Sequence, residues 1–208
     1  MARSAPCPRG KSLQRSYVLF NHLTVVFWTL VYLIIVLCGI QDRKSHRLLF
    51  MPLIAGMLNF AWEINALVIS RGFYGHVLWT VLDIFIIFHN VCFLEKSKRG
   101  KYLLLTAVFV LALYGIFRVP NVDGQRISVF SIDIIMAIEY VLCAKKIARQ
   151  GKISVGVLKL LGDLFAWLAN MQSSVFVAVS GLIVVLLNLF YLAICFEQNS
   201  HSRKGVRR

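Results

Sequence analysis

Six of the nine acidic side chains fall inside long apolar stretches, where a charge is costly. They are Glu63, Asp83, Asp133, Glu139, Asp163 and, at the end of a stretch, Glu197. Ionisable residues at membrane depth face other helices or a polar cavity and often mark functional sites. Asp163 follows Lys159 by four residues, a spacing that allows an ordinary ion pair along one helix. Glu63, Asp83 and Asp133 have no basic partner at helical spacing, so these three are the candidate catalytic residues.

The chemistry expected of such residues is proton transfer to a hydrophobic substrate. A medium of low dielectric favours the neutral form of a carboxyl, which can then act as a proton donor at neutral pH. Neighbouring aromatic faces can stabilise a cation formed by that proton. Polar and aromatic residues accompany the acids, and the candidate substrate-binding set is Asn59, Phe60, Trp62, Trp79, Phe130, Trp167, Asn188 and Tyr191. Each alone is explained by helix packing or by the interfacial aromatic belt, so the prediction depends on their convergence.

The elements that must position these residues are membrane helices. Of the 208 residues, 59% are hydrophobic and only 15% charged, against about a quarter charged in soluble domains. Seven apolar stretches approach the roughly 20 residues that cross a bilayer: 17–40, 48–70, 76–94, 102–117, 127–144, 153–173 and 176–197. The sequence therefore predicts an all-α membrane protein, a seven-transmembrane helix bundle with a central cavity. It is a single domain, 1–208, with short basic tails at 1–16 and 199–208; six spans are the alternative.

The polar residues share helix faces and depth. Ala55, Asn59, Glu63 and Ala66 form a small-and-polar stripe on the second stretch, and Asn59 is expected to orient the proton of Glu63. His76, Trp79 and Asp83 share a face of the third stretch, and Phe130, Asp133, Ala137 and Tyr140 share one of the fifth. Because alternate spans run in opposite directions, the three candidate acids are expected at one level, lining a shared cavity.

The net charge of +14 comes from loops and tails, which argues against a nucleic-acid partner. With seven spans, fifteen of the 23 Lys and Arg residues fall on the side of the C-terminus and seven on the other. The positive-inside tendency then predicts a multi-pass protein with a cytoplasmic C-terminus, although four basic residues near the N-terminus oppose this orientation. The five cysteines are scattered singly, which predicts neither a zinc site nor a disulfide framework.

Two motifs carry a resemblance to a known family. The segment "LNFAWE" (58–63), followed one span later by "WTVLD" (79–83), resembles the small integral-membrane terpene cyclases of fungal meroterpenoid and indole-diterpene pathways and their bacterial relatives. The resemblance implies acid-initiated, non-metal cyclisation of a prenylated substrate, which is farnesylated and in some relatives indole-linked, with Glu63 as the essential acid. Many fungal relatives have an Asp-x-x-Tyr pattern in the final span. Here "NLFY" puts Asn188 in place of that acid, so the second acid is left open between Asp83 and Asp133.

The resemblance implies no metal and no organic cofactor, and the DDxxD-like cluster that holds magnesium diphosphate is missing from the sequence. The expected partners are a hydrophobic prenylated molecule, activated at an alkene or an epoxide, and the lipid bilayer. Two other functions stay open: a small proton-coupled transporter that uses the same acids as a relay, and a membrane scaffold. A transporter predicts internal repeats, which the sequence lacks, and a scaffold gives no reason for three unpaired acids. The oligomeric state is not predicted.

Overall fold

The computed structural model describes residues 8–43, 52–69, 74–118, 123–145 and 152–205. These residues form seven α-helices: α1 (Pro8–Arg43), α2 (Leu53–Ile69), α3 (Tyr74–Phe93), α4 (Lys96–Phe117), α5 (Gly124–Cys143), α6 (Lys152–Asn170) and α7 (Val175–Gly205). The prediction of seven helices is confirmed, since residues 171–174 separate α6 from α7. The ends of both predicted tails and several basic connections that entered the charge count lie outside the described residues.

The chain is an all-α, multi-pass membrane bundle. Five helices, namely α1, α3, α4, α6 and α7, are long and apolar enough to cross a membrane. Of the other two, α2 is apolar but has only 17 residues, and α5 is less apolar because it contains Arg126, Asp133 and Glu139. Both pack among the spanning helices. α1 and α7, with 36 and 31 residues, are longer than one crossing needs.

Six helices pack side by side in a closed ring. The order around the ring is α1, α3, α2, α5, α7, α6 and back to α1, while α4 lies outside it against α2 and α5. Side-chain contacts give the directions. Trp79 contacts Thr29 and His89 contacts Gly39, so α1 and α3 are parallel. We call the end of the bundle where α1 begins the N-terminal end, and the end where α7 finishes the C-terminal end.

The predicted inward faces are confirmed. On α2, Asn59 and Glu63 are 7% and 4% exposed. On α3, Asp83 is fully buried, and on α5 Asp133 is 8% exposed. Each of these four polar residues lies near the middle of its helix. A ring of helices with polar side chains at mid-depth on its inner faces is the scaffold of the candidate site.

Close helix packing closes the side of the ring formed by α6. A Cβ atom at Gly162 would lie 2.8 Å from Cδ1 of Trp28 on α1. A Cβ at Gly156 would lie 2.7 Å from Cδ2 of Leu192 on α7. Small residues at such positions let membrane helices approach closely. This approach brings Lys159 and Asp163 of α6 next to Trp28 on α1 and Asn188 on α7.

Candidate active site

Glu63 is paired with a histidine from the next helix. Oε2 of Glu63 lies 2.9 Å from Nδ1 of His76, which sits in the first turn of α3, and both residues are buried. The sequence places both on inward faces, but helical spacing within one segment does not reveal a partner on another helix. The antiparallel packing of α2 and α3 makes the pair. A carboxyl and an imidazole at this distance can share or exchange a proton.

A second polar unit lies one turn deeper, around Asp83. Nδ2 of Asn59 donates to both carboxylate oxygens of Asp83, at 3.0 and 3.2 Å, and also to the hydroxyl of Tyr32. The Tyr32 hydroxyl donates to Oδ2 of Asp83 at 3.3 Å. The expectation that Asn59 orients Glu63 is therefore wrong: the amide is directed at Asp83, and His76 occupies the position beside Glu63. The sequence gives no sign of this role for Tyr32, because the apolar stretch 17–40 that contains it has no acid.

Indole rings flank the Glu63–His76 pair. The Trp62 ring meets the His76 ring edge-on at 5.4 Å between centroids, and the Trp79 ring meets it edge-on at 5.8 Å. Each indole N–H is anchored, with Trp62 donating to Ser128 at 3.2 Å and Trp79 to Thr29 at 3.0 Å. Anchored N–H groups fix the orientation of the rings. The two tryptophans predicted from the sequence thus form aromatic walls beside the candidate acid.

The opposite side of the ring holds a buried ion pair. Nζ of Lys159 lies 2.6 Å from Oδ2 of Asp163, as the four-residue spacing allows, and Nδ2 of Asn188 donates to the same oxygen at 2.6 Å. Oδ1 of Asp163 is buried and has no hydrogen-bond partner among the described residues. Lys159 also lies 5.2 Å from the centroid of the Trp28 ring, within cation–π distance. Asn188, predicted to bind substrate, thus contacts an acid of α6.

Asp133 is within electrostatic range of acids on both sides of the ring. It interacts electrostatically with Asp163 and Lys159 on one side and with Glu63 on the other. Glu63 in turn interacts electrostatically with Asp83. The three candidate acids therefore belong to one electrostatic group inside the ring, to which the structure adds Asp163. That they line a shared cavity stays a prediction.

Other predicted residues have different surroundings. Nε1 of Trp167 donates to the carbonyl oxygen of Ala178 at 2.9 Å, which ties the end of α6 to the start of α7. The Tyr191 hydroxyl donates to the carbonyl oxygen of Lys152 at 3.3 Å, near the C-terminal end of the bundle. The polar atoms of both side chains thus join helices. Phe130 is buried and Phe60 half-buried, and a substrate-binding role for these four residues stays a prediction.

Glu139 has a structural role. Its carboxylate accepts hydrogen bonds from the backbone N–H groups of Ile54 at 3.1 Å and Ala55 at 2.5 Å. These groups belong to the first turn of α2, where the backbone has no partner of its own within the helix. The acid thus caps α2 from a neighbouring helix. This explains one intramembrane carboxylate without catalysis.

No protein-family model, curated protein or solved structure matches the chain. The arrangement offers a carboxyl–imidazole pair between two indoles, a separate carboxylate held by an amide and a phenol, and a buried Lys–Asp pair. It can deliver a proton at one point and accept one at another.

Proposed function

We propose that this protein is a membrane-bound, acid-initiated cyclase of prenylated substrates, with Glu63 as the proton donor. The observation that carries the proposal is the buried Glu63–His76 pair at 2.9 Å, whose imidazole contacts the rings of Trp62 and Trp79 edge-on. An acid that protonates an alkene must be neutral before the reaction. The carbocation that forms on the substrate must then lie beside groups that stabilise it. A buried carboxyl with aromatic neighbours meets both requirements.

The proposed reaction is an isomerisation in which the proton is returned. Glu63 transfers a proton to the terminal alkene carbon or epoxide oxygen of a prenyl chain, and a tertiary carbocation forms. The next double bond attacks this cation, which closes a ring and moves the positive charge along the chain. Loss of a proton from the last cation to Asp83 or Asp133 forms the final double bond. The aspartate then releases that proton to water and His76 passes a proton from water to Glu63, so both groups return to their starting state and no co-reactant is consumed.

The location of the site favours an apolar substrate, and the resemblance in sequence implies that its chain is a farnesyl group. A farnesylated molecule, possessing an indole or another aromatic head group, partitions into the bilayer and approaches the ring from lipid. In the orientation that the basic residues favour, the C-terminal end of the bundle faces the cytoplasm. The acids lie near the middle of their helices, at a depth that the apolar chain of such a substrate reaches more readily than its head group.

The direct test is incubation of membranes that contain the protein with farnesylated indole and, separately, with an epoxy-farnesyl aromatic compound. We expect a product of unchanged mass and altered retention. In deuterated water, the product from the alkene substrate should gain one deuterium, because the initiating proton exchanges with solvent. Products without solvent deuterium would contradict protonation of the alkene by an exchangeable acid.

The matched variants are Glu63→Gln and Glu95→Gln. Glu63→Gln removes the acid and keeps the shape, so we expect loss of product by at least about a hundredfold, a typical contribution of a general acid. Glu95 is exposed and pairs with Lys98 at 2.9 Å, so the same change there should leave turnover unaffected. Full turnover by a well-inserted Glu63→Gln variant would exclude Glu63 as the donor.

A proton-coupled transporter is the second candidate, and one observation favours it. Asp133 interacts electrostatically with both Glu63 and Asp163, so the ring holds several acids within electrostatic range of one another, and a proton relay would use such a group. The two functions are separated by reconstituting the protein in vesicles loaded with a pH-sensitive dye. Substrate-dependent proton flux without product formation would support the transporter, and product formation without flux would support the cyclase.

A further inference from the structure

A pocket of about 370 Å³ lies between α1 and α3 near the C-terminal end of the bundle, and the proposed reaction does not use it. Its walls are mainly apolar and aromatic, with Ile40 contributed by α1 and Phe85, Phe88 and Phe93 by α3. Pockets of roughly 300–1,000 Å³ are the usual size of small-molecule sites. Because both helices are membrane spans, this pocket is positioned to take an apolar chain from the lipid.

A guanidinium group is fixed beside this pocket. Nε of Arg99 donates to the carbonyl oxygen of Leu94 at 2.9 Å, and Nη2 donates to that of Cys92 at 3.1 Å. Cys92 itself lines the pocket. These two bonds use two of the five N–H groups of the side chain, which leaves donors for an anion. The cation is therefore held in place at the end of α3, next to apolar walls.

The start of α4 adds positive charge at the same place. Lys96, Lys98 and Arg99 occupy three of its first four positions, and the first turn contains no acid. The side chain of the N-cap residue, Glu95, makes no capping hydrogen bond and is instead paired with Lys98. The positive end of a helix dipole disfavours cations and favours anions. Three cations at this helix end are an unfavourable arrangement that a bound anion relieves.

We propose that this pocket binds an anionic phospholipid, with one acyl chain between α1 and α3 and the phosphate at Arg99 and the first turn of α4. The pocket takes an apolar chain, and the charge beside it takes a negative head group, so one amphiphile satisfies both. The residues involved lie at helix ends, the depth at which phospholipid head groups are found. Basic residues next to membrane spans are the usual attraction for anionic lipids. This inference is independent of the proposed cyclase reaction.

The test uses the full-length protein in vesicles of phosphatidylcholine, with or without phosphatidylglycerol. Cys92 is exposed and lines the pocket, so its rate of modification by a membrane-permeant maleimide reports occupancy. We expect phosphatidylglycerol to slow the modification several-fold at equal total lipid. Cys143, half-buried at the end of α5, is the internal control, and its rate should not change. A Cys92→Ser variant shows which part of the total maleimide modification comes from Cys92.

The role of the Arg99 charge in binding the lipid phosphate is tested with the variant Arg99→Gln, and Arg126→Gln is the control. Arg126 is half-exposed at the opposite end of the bundle and, like Lys98, pairs with an acid three residues away. We expect Arg99→Gln to weaken protection of Cys92 by phosphatidylglycerol about tenfold, the loss of one charge-assisted contact. Arg126→Gln should leave protection unchanged. Native mass spectrometry of the purified protein should show phosphatidylglycerol retained by the Arg126→Gln variant and depleted from the Arg99→Gln variant.

Two results would overturn the proposal. If phosphatidylcholine protects Cys92 as well as phosphatidylglycerol does, the pocket accepts any acyl chain and recognises no anion. If Arg126→Gln and Arg99→Gln lower protection equally, the effect is the net charge of the protein and not this site. Should Arg99→Gln fail to fold, Ile40→Trp, which fills the pocket without changing charge, should abolish the difference between the two lipids.

Discussion

Nδ1 of His76 lies 2.9 Å from Oε2 of Glu63, a contact between two helices that the sequence presents as separate polar interruptions. The contact gives the candidate acid a partner that can receive or return its proton. It also holds the carboxyl beside the indoles of Trp62 and Trp79, since both rings pack edge-on against the imidazole. The pair is therefore both a proton-transfer unit and the support of the aromatic walls.

Replacement of His76 separates these two roles. His76→Phe keeps a ring between the indoles but removes the nitrogen, so we expect cyclisation to fall about a hundredfold with little loss of folded protein. His76→Asn, whose amide can reach the position of Nδ1, should recover part of the rate. The measurement is product formation as a function of pH. If both variants lose the same activity and keep the pH profile of the native protein, His76 has only a packing role.

Asp83 and Asp133 are the candidate terminal bases. We expect Asp83→Asn or Asp133→Asn to lower the rate or change the ratio of cyclised products, because the base that removes the last proton decides where the double bond forms. Product ratios by chromatography are the measurement. Asp123→Asn is the control, since Asp123 is exposed and caps α5, and Asn caps helices equally well. Unchanged rates and products in both test variants would remove the main support for a shared site.

The sequence predicts the faces of this bundle better than the contacts between them. Asn59 and Glu63 lie on the inward stripe of α2, as the periodicity of apolar and polar residues requires, and both are buried. Their partners are not predictable in this way. The Asn59 amide can bond to Glu63, one turn away on α2, or to an acid on α3. The position of α3 along α2 places Asp83 beside Asn59, and the sequence does not determine that position. The Lys159–Asp163 pair was foreseeable because it is local to one helix.

The ring order also lies beyond the sequence. Tyr32 reaches Asp83 because α1 packs against α3, which is not its neighbour along the chain. Seven apolar stretches do not distinguish these packings, since short connections permit several. The electrostatic interaction of Asp133 with Asp163 has the same origin, because α5 and α6 both pack against α7 and are not in direct contact with each other among the described residues. The acids are therefore visible in the sequence, whereas their neighbours on other helices depend on how the helices pack.

Substitutions in the Lys159–Asp163 pair measure how much this buried ion pair contributes to the free energy of unfolding. The side chains are 3% and 2% exposed. Lys159→Met leaves Asp163 without its cation and should destabilise the protein by about 3–5 kcal/mol, the cost of breaking a buried pair. The double variant Lys159→Met, Asp163→Leu should be more stable than Lys159→Met alone. Unfolding in mixed detergent micelles is the measurement.

The control for this cycle is the exposed pair Lys98–Glu95, where Lys98→Met should change the unfolding free energy by at most about 1 kcal/mol. A double variant less stable than Lys159→Met alone would mean that Asp163 has other stabilising contacts. The hydrogen bond from Asn188 to Oδ2 of Asp163 is the first such contact to remove.

The Glu139 side chain is expected to stabilise the first turn of α2. Its carboxylate accepts from the backbone N–H groups of Ile54 and Ala55, so Glu139→Ala should destabilise the protein by about 1 kcal/mol, a typical cost of a lost helix cap. The same amides should exchange with deuterated water faster than in the native protein. Glu95→Ala is the control, because the Glu95 side chain makes no capping bond and the change should leave α2 unaffected. Slow exchange at Ile54 and Ala55 in the Glu139→Ala variant would show that packing alone fixes the start of α2.

Since α2 carries both Asn59 and Glu63, faster exchange accompanied by slower cyclisation would connect this cap to the placement of the candidate acid.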